Sequence, residues 1–312
     1  MVNYGDITGS PEYDIQFWDA VRGKAGNRDV LAKGQVPVMG TYKLPTNALG
    51  KLAKAIKKES VFRNMATVQN AYRSTYRIIA KDCKDMATYV EEGAEIPIYD
   101  GMEDFTEKGV NSYKLAAFVR VDEDFVRDAA FDIETHVTNR LAYNFAQAED
   151  NSFINGTGVG EPTGILHEKD GAEVGVTTSN LSYDDVIVLF FSVDKKYRKK
   201  GVWLMNDKTA QALRTLKDVD GNYLWNHAND TILGKLVVIS EFMPDVAEGS
   251  KPIVFGDFSY YWVIGRMPVS LRTLTEKFAA LFQIGYLAIE FLDGKMIRNE
   301  AVKVIQMSKA EN

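Results

Sequence analysis

A glycine-rich segment, INGTGVGEPTG at residues 154–164, is the part of the sequence closest to a chemical motif. Its four glycines could cradle a phosphate group through backbone N–H groups. That chemistry needs a strand before the glycines and a helix opening at them, or a following Gly-Lys-Ser/Thr sequence. Neither is present, because a long predicted helix runs directly into the segment. The pattern therefore predicts a tight structural turn rather than a nucleotide site.

Residues that could bind metals or catalyse a reaction give no stronger signal. Asp218, Asp220 and Asn222 hint at calcium ligands, but the glycine falls at the fourth position instead of the sixth and no closing glutamate follows. The three histidines are far apart in sequence, and no serine occupies a nucleophile elbow. The many carboxylates leave a catalytic pair open, but nothing singles one out. The sequence predicts no cofactor, no metal site and no catalytic residue.

Composition indicates a folded protein with a substantial core. The chain has 312 residues, 46% of them hydrophobic, enough for one large domain or two of ordinary size. Cys83 is the only cysteine, so an intramolecular disulfide is excluded and assembly in a reducing compartment is favoured. The N-terminus lacks the pattern of a secretory signal, and no apolar run approaches the roughly 18 residues of a membrane span. We expect a soluble protein.

Negative charge is concentrated in residues 81–111. This segment contains nine acidic residues and three lysines, a net charge of −6, which equals the formal charge of the whole chain. The remainder of the sequence is therefore electrically balanced. Alternating patterns at 72–78 and 113–121 predict a strand on each side of the segment.

The acidic segment is too long for a hairpin loop between paired strands. Its apolar residues favour an extended arm that contacts another subunit, with a self-packed acidic loop as the alternative. The candidate contact residues are Glu91, Glu92, Glu95, Ile96, Tyr99 and Asp104.

Amphipathic spacing predicts the helices. The longest begins after the capping residue Asp132 and stops at Asn155-Gly156. Its buried stripe consists of Ile133, Val137, Leu141, Phe145 and Ala148. Shorter helices are expected at 11–23, 46–59, 182–200 and 207–216. Residues 26–45 have no clear period, which indicates an extended arm.

Two of these helices carry clustered cations. The basic face at 46–59 could touch nucleic acid or a membrane, but a solvated or subunit-facing helix is favoured. The second cluster ends the helix that starts at Ser182, where it suits the negative end of the helix dipole and could also receive an acidic arm. It comprises Lys195, Lys196, Arg198, Lys199 and Lys200.

Strands are predicted mainly in the C-terminal half of the chain. They are expected at 202–205, 236–239, 253–255, 262–264, 269–274, 279–291 and 301–306. Together with the helices, they indicate an α+β fold.

Several short segments occur in a specific order between about residues 35 and 307. They are NRLAY at 139–143, NGTG at 155–158, EPTG at 161–164, LKD at 216–218, GNYL at 221–224, GKLVV at 234–238 and FGDF at 255–258. Each is weak alone. Together they resemble the major capsid proteins of tailed bacteriophages, whose Hong Kong 97 fold is shared with encapsulin shells.

The resemblance implies a division of the chain into arms and domains. The expected parts are an N-terminal arm at 1–45, a peripheral domain at 46–164 with a spine helix at 128–153 and an extended loop at 81–111, an axial domain at 165–270, and a return to the peripheral domain at 271–312. The extended loop is expected to lie over a neighbouring subunit.

The resemblance also implies a structural role without enzymatic activity. Hexamers and pentamers would form an icosahedral shell around double-stranded DNA, assembled in the host bacterial cytoplasm and located in the virion. Expected partners are other copies of the chain, DNA bound without sequence preference, a scaffold and a portal, with decoration proteins as an optional addition and no membrane.

Two departures from the type member of the fold matter. There, a lysine of the extended loop is joined to an asparagine of another subunit. Here no lysine lies between Asp85 and Glu107 and no asparagine between Asp230 and Arg298, so we expect a shell without this covalent bond. The scaffolding segment is also missing, so it is either cleaved before Met1 or replaced by a separate scaffold protein.

Two other functions stay open from the sequence. An encapsulin-type shell would enclose a cargo protein instead of a genome. A soluble enzyme with an acidic lid loop is a more distant alternative, since no acid, base, nucleophile or metal set converges in the sequence.

Overall fold

The computed structural model describes residues 8–24, 27–35, 41–71, 77–81, 105–128, 130–217, 225 and 231–308, which form an α+β fold. The helices are α1 (Pro11–Val21), α2 (Arg28–Ala32), α3 (Thr46–Glu59), α4 (Glu123–Arg127), α5 (Ile133–Asn155), α6 (Tyr183–Ser192), α7 (Lys195–Arg198) and α8 (Asp207–Arg214). Short 3₁₀ helices occupy Phe62–Asn64, Phe258–Tyr260, Glu276–Leu281 and Asn299–Ala301. The strands are β1 (Thr41–Lys43), β2 (Thr67–Asn70), β3 (Arg77–Lys81), β4 (Phe105–Gly109), β5 (Tyr113–Asp122), β6 (Glu173–Thr178), β7 (Val202–Met205), β8 (Thr231–Ile232), β9 (Lys235–Ile239), β10 (Ile253–Gly256), β11 (Tyr261–Leu274), β12 (Gln283–Met296) and β13 (Val302–Met307).

A five-stranded sheet carries the long helix. Its strand order is β1-β11-β12-β5, with β2 pairing alongside β11. The β5 strand pairs with β12 over ten residues, and from Ala117 onward every second side chain of β5 is buried. The helix α5 packs on this sheet because its apolar stripe, from Ile133 to Phe145, shares one core with Val119 and Tyr286. The helices α1 and α3 complete this core.

A six-stranded sheet forms the second layer, in the order β6-β13-β10-β7-β9-β8. Its central strand β10 is buried at every position. Trp203 of β7 packs against Phe255 of β10 with ring centroids 4.2 Å apart, and its indole Nε1 donates to the carbonyl of Ile232 at 3.0 Å. The core of this sheet extends into the first one through Phe62 and Tyr261, whose ring centroids are 4.9 Å apart.

A buried ion cluster joins α5 to β12. The Arg63 guanidinium donates to both oxygens of Glu149, at 2.5 and 2.6 Å, and lies 3.4 Å from Glu290. All three side chains are nearly or completely buried. Burial raises the pKa of Glu290 to about 7, and the nearby Glu149 carboxylate adds to this, while Arg63 acts in the opposite direction.

Asp150, the next residue of α5, binds the segment that follows α3. Its Oδ1 accepts hydrogen bonds from the Ser60 hydroxyl at 2.5 Å and from the Phe62 backbone N–H at 3.2 Å. Its Oδ2 accepts the Val61 N–H at 2.8 Å. Burial raises the pKa of Asp150, and these three donors oppose that shift. The carboxylate thus fixes the start of the 3₁₀ helix that carries Phe62 into the core.

The glycine-rich segment is a structural turn, as its sequence predicts. Gly158 has a φ of 76°, a left-handed conformation that favours glycine. The N–H of Gly164 donates to the Gly156 carbonyl at 2.9 Å, and a Cβ on Gly164 would lie 2.5 Å from the Gly156 nitrogen. The Thr163 N–H donates to the Gly294 carbonyl at 3.1 Å, which attaches the turn to β12.

Three expectations about helices need correction. The long helix starts at Ile133 instead of 128, because the Asp132 carboxylate caps it by accepting the Thr135 N–H at 3.1 Å, and it continues to Asn155 instead of 153. The helix expected at 182–200 is two helices, because Val193 is extended. The segment 26–45 contains α2 and β1, so its described part is not simply an extended arm.

Strand pairing joins residues far apart in the sequence. The strand β3 pairs with β4, which lies inside the segment 81–111, and β5, predicted at 113–121, pairs with β12. Of the strand predicted at 72–78, residues 72–76 lie outside the described residues. The division of the strands between the two sheets does not coincide with the domain boundary expected at residue 270. From Tyr261 onward, β11 pairs with β12, whereas β13 lies in the six-stranded sheet, where its mostly buried side chains fit between β6 and β10. Asp218, Asp220 and Asn222 lie outside the described residues.

We predict that Asp150→Ala lowers the free energy of unfolding by about 3 kcal/mol, because buried donors lose their acceptor. Asp150→Asn keeps one acceptor and should cost less. Chemical unfolding of the full-length chain measures both, with the exposed Glu168→Ala as the control. Equal stabilities for Asp150→Ala and Glu168→Ala would contradict the role of Asp150.

Candidate intersubunit interface

The acidic segment is attached to the fold through the paired strands β3 and β4. The pairing runs from Arg77↔Gly109 to Lys81↔Phe105, so the chain at 81 and the chain at 105 lie side by side. The predicted contact residues fall in 82–104, outside the described residues. They are Glu91, Glu92, Glu95, Ile96, Tyr99 and Asp104.

Lysine contacts anchor the base of this strand pair to the five-stranded sheet. The Lys108 ammonium donates to the Met296 carbonyl at 2.8 Å and to Asn299 Oδ1 at 3.0 Å. Lys295 donates in return to the Gly109 carbonyl at 2.8 Å. Burial lowers the pKa of Lys108, although nearby carboxylates oppose this shift. The pair therefore leaves the fold from a fixed point at the end of β12.

The basic cluster lies on and after α7. The Tyr197 side chain is buried, and its hydroxyl donates to the Glu300 carboxylate at 2.9 Å. Burial, together with Glu300, raises the pKa of Tyr197. The Arg198 guanidinium lies 5.4 Å from the ring centroid of Phe190 and 5.0 Å from that of Phe191. The four lysines are exposed: Lys195, Lys196, Lys199 and Lys200.

A groove of about 540 Å³ lies between the end of α3 and the strands β7 and β9. We call it the lysine-rimmed groove. Its apolar floor is formed by Val61, Met65, Val202, Leu236, Val238 and Phe258. Lys58 of α3 and Lys200 both line it, as do the acidic residues Glu59 and Asp257. Leu236 is 55% exposed, which leaves apolar surface open to a partner.

The groove brings together two cationic segments that the sequence places far apart. Lys58 belongs to the basic helix at 46–59, and Lys200 ends the second cluster. The other members of that cluster do not line the groove. The part played by Val61 and Met65 could not be anticipated from the sequence, since residues 60–66 fit no periodic element. The alternation of Leu236 and Val238 indicated a strand, but not that its side chains line an open groove.

Metal-ligating side chains do not converge in the described part of the chain. No set of three or more His, Cys, Asp or Glu side chains there could hold a metal ion. His136 packs beside Phe131, whereas His167 Nδ1 accepts the Asp170 N–H at 3.1 Å. No helix in the same part has the length and hydropathy to cross a membrane.

Solved structures with the same fold include capsids and phage particles. The chain is 28% identical to the capsid of the native GTA particle, with a TM-score of 0.65, covering 79% of this chain and 89% of that one. The capsid of the empty GTA particle is also 28% identical, with a TM-score of 0.64, covering 80% of this chain and 90% of that one. The structure from Gordonia phage Cozz is 13% identical, with a TM-score of 0.57, covering 81% of this chain and 87% of that one. This likeness is one of fold alone. The fold is that of the Hong Kong 97-type capsid proteins.

A sequence profile identifies the family. Residues 40–307, most of the chain, match the phage capsid family. The chain belongs to this family, whereas no curated protein sequence gives a match. It is a structural major capsid protein that forms an icosahedral shell, and its location is the virion capsid.

Proposed function

We propose that this protein assembles into hexamers and pentamers of a shell that encloses double-stranded DNA, and that it has no catalytic turnover. Assembly takes place in the host bacterial cytoplasm, with a scaffold, a portal and optional decoration proteins as partners. The observation that carries the proposal is the lysine-rimmed groove. Its apolar surface and two lysines complement the acidic, partly apolar segment of the same chain, although Glu59 and Asp257 also line it.

The occupant of this groove is the segment 82–104 of a neighbouring subunit. The acidic residues of this segment, including Glu91, Glu92 and Glu95, are interspersed with apolar residues such as Ile96 and Tyr99. The apolar floor of the groove can bury the apolar residues of the segment. Lys58 and Lys200 offer the opposite charge to its acidic residues. The exposed cations of α7 extend the positive surface beside Lys200. Charge would guide the arm, and apolar burial would hold it.

Two structural layers correspond to the expected domains under this proposal. The five-stranded sheet with α5 is the peripheral domain, and the six-stranded sheet with α6 and α8 is the axial domain. The strands β3 and β4 form the base of the extended loop. Nothing in the comparisons favours an encapsulin-type shell or an enzyme.

We expect the purified full-length chain to form closed shells, or hexamer and pentamer rings, because shell formation is its function. Light scattering followed by negative-stain electron microscopy tests this. A stable monomer or dimer at concentrations that suit assembly would contradict the proposal.

We expect the double substitution Lys58→Glu and Lys200→Glu to block assembly, because it replaces attraction for the acidic arm by repulsion. Adding Glu91→Lys and Glu92→Lys should partly restore shells by exchanging the charges. Sedimentation velocity of the assembled fraction measures both. The matched control is Lys169→Glu with Lys208→Glu, two exposed lysines outside the groove. Wild-type assembly by the first double variant would show that the arm binds elsewhere.

We expect assembled shells to dissociate into single chains of 34.9 kDa on denaturing gels. The reason is that the extended loop lacks the lysine needed for a bond between subunits. Ladders of covalent multimers joined between lysine and asparagine would contradict this prediction.

A further inference from the structure

A second, chemically different cleft lies between the strand β5, the helix α5 and the start of β12. Its volume is about 630 Å³. The polar side chains that line it are Arg120, His136, Arg140, Asn144 and Gln283. Phe118 and Val119 complete the lining, and no carboxylate is part of it.

Regular geometry places these side chains together. His136, Arg140 and Asn144 are four residues apart along α5, so they lie on one face of the helix. Arg120 comes from β5, where it points away from the core because Val119 and Val121 point into it. The two arginines therefore approach one space from different elements.

Neither arginine has a carboxylate partner among the described residues. The guanidinium of Arg120 lies 5.9 Å from the ring centroid of Phe278. Asp122 lies two residues after Arg120 in β5, and its Oδ1 accepts a hydrogen bond from Gln283 Nε2 at 2.9 Å. The first-turn acids of α5 have other partners: Glu134 pairs with Lys51 and Asp132 accepts from Thr135.

A shallower hollow continues from the cleft along the same helix. Its volume is about 470 Å³, and it shares Phe118 and Asn144 with the cleft before reaching Gln147 and Asn151. The rest of its lining is apolar and includes Leu115 and Phe242. From His136 to Asn151 the helix spans about 22 Å. One strand of B-DNA carries roughly six phosphates over that length. Arginine and amide side chains are also the groups that commonly contact DNA phosphates.

The lining distinguishes this cleft from the lysine-rimmed groove. The groove has an apolar floor, which suits a peptide whose acids alternate with apolar residues. The cleft presents two guanidinium groups, an imidazole and two amides, which suit a solvated oxyanion with several acceptor oxygens. A phosphodiester backbone has that chemistry and offers no apolar side chains to bury.

We propose that the cleft formed by Arg120, His136 and Arg140 binds the phosphate backbone of the enclosed double-stranded DNA, and that this face of α5 points into the shell. The inference rests on the proposed enclosure of DNA. Binding is independent of base sequence, because contacts to the phosphate backbone carry no sequence information.

The test measures binding of a 30-base-pair duplex by fluorescence anisotropy at several salt concentrations. The full-length chain is kept below the concentration at which light scattering detects shells. The double variant Arg120→Gln with Arg140→Gln should weaken binding about tenfold and reduce the slope of log affinity against log salt by about two. Arg120→Lys with Arg140→Lys should keep the slope and lose affinity, because the charge remains while the planar fork is lost.

The control variant, Lys169→Gln with Lys208→Gln, removes two exposed charges outside the cleft. An equal loss of affinity and slope in this control would overturn the proposal, since binding would then depend only on total charge. So would unchanged binding in the glutamine double variant, or a synthetic 82–104 peptide whose binding this variant weakens more than it weakens DNA binding. Electron microscopy of the same variants shows whether they still form shells, so a loss of DNA binding can be distinguished from a failure of shell assembly. Normal shells with reduced DNA binding are the expected result.

Discussion

The end of α5 is the point on which the rest of the structure depends. Two successive carboxylates, Glu149 and Asp150, are buried there, and each would be unfavourable without its partners. Arg63 neutralises the first while two backbone N–H groups and a hydroxyl bind the second. These partners come from one short segment after α3. The same segment inserts Phe62 between the two sheets, so satisfying two buried charges also determines how the layers join.

Beyond this junction, the distribution of charge organises the surface. The acidic excess lies in one segment, and the described fold presents cations in two places with different surroundings. Lysines rim an apolar groove, whereas arginines line a polar cleft. Lysine is a flexible point charge that can adapt to a peptide, and arginine presents a planar fork suited to phosphate. One net-negative chain can therefore attract its own arm and an anionic polymer at separate surfaces.

Local patterns in the sequence predicted individual elements well and their partners poorly. The helix at 46–59 and the cap at Asp132 follow from periodicity and from one side chain. The boundary that resemblance implied for the long helix was less accurate than the boundary read from the cap itself. Strand partners depend on contacts far apart in sequence, so the pairing of β5 with β12 could not be read from the strand pattern. The two arginines of the cleft were missed for the same reason, since each is an ordinary exposed residue of its own element.

The outer strand β5 presents a physical difficulty that the cleft helps to resolve. In the described sheet it lies at the edge, where the N–H and C=O groups that point away from β12 could pair with another chain. Its exposed positions include Lys114, Arg120 and Asp122, and charges on an edge strand disfavour uncontrolled pairing. Arg120 both protects the edge and lines the cleft. A subunit that must associate at high local concentration needs such protection on every edge not used for assembly. On this face, the protective charge also gives the surface its affinity for phosphate.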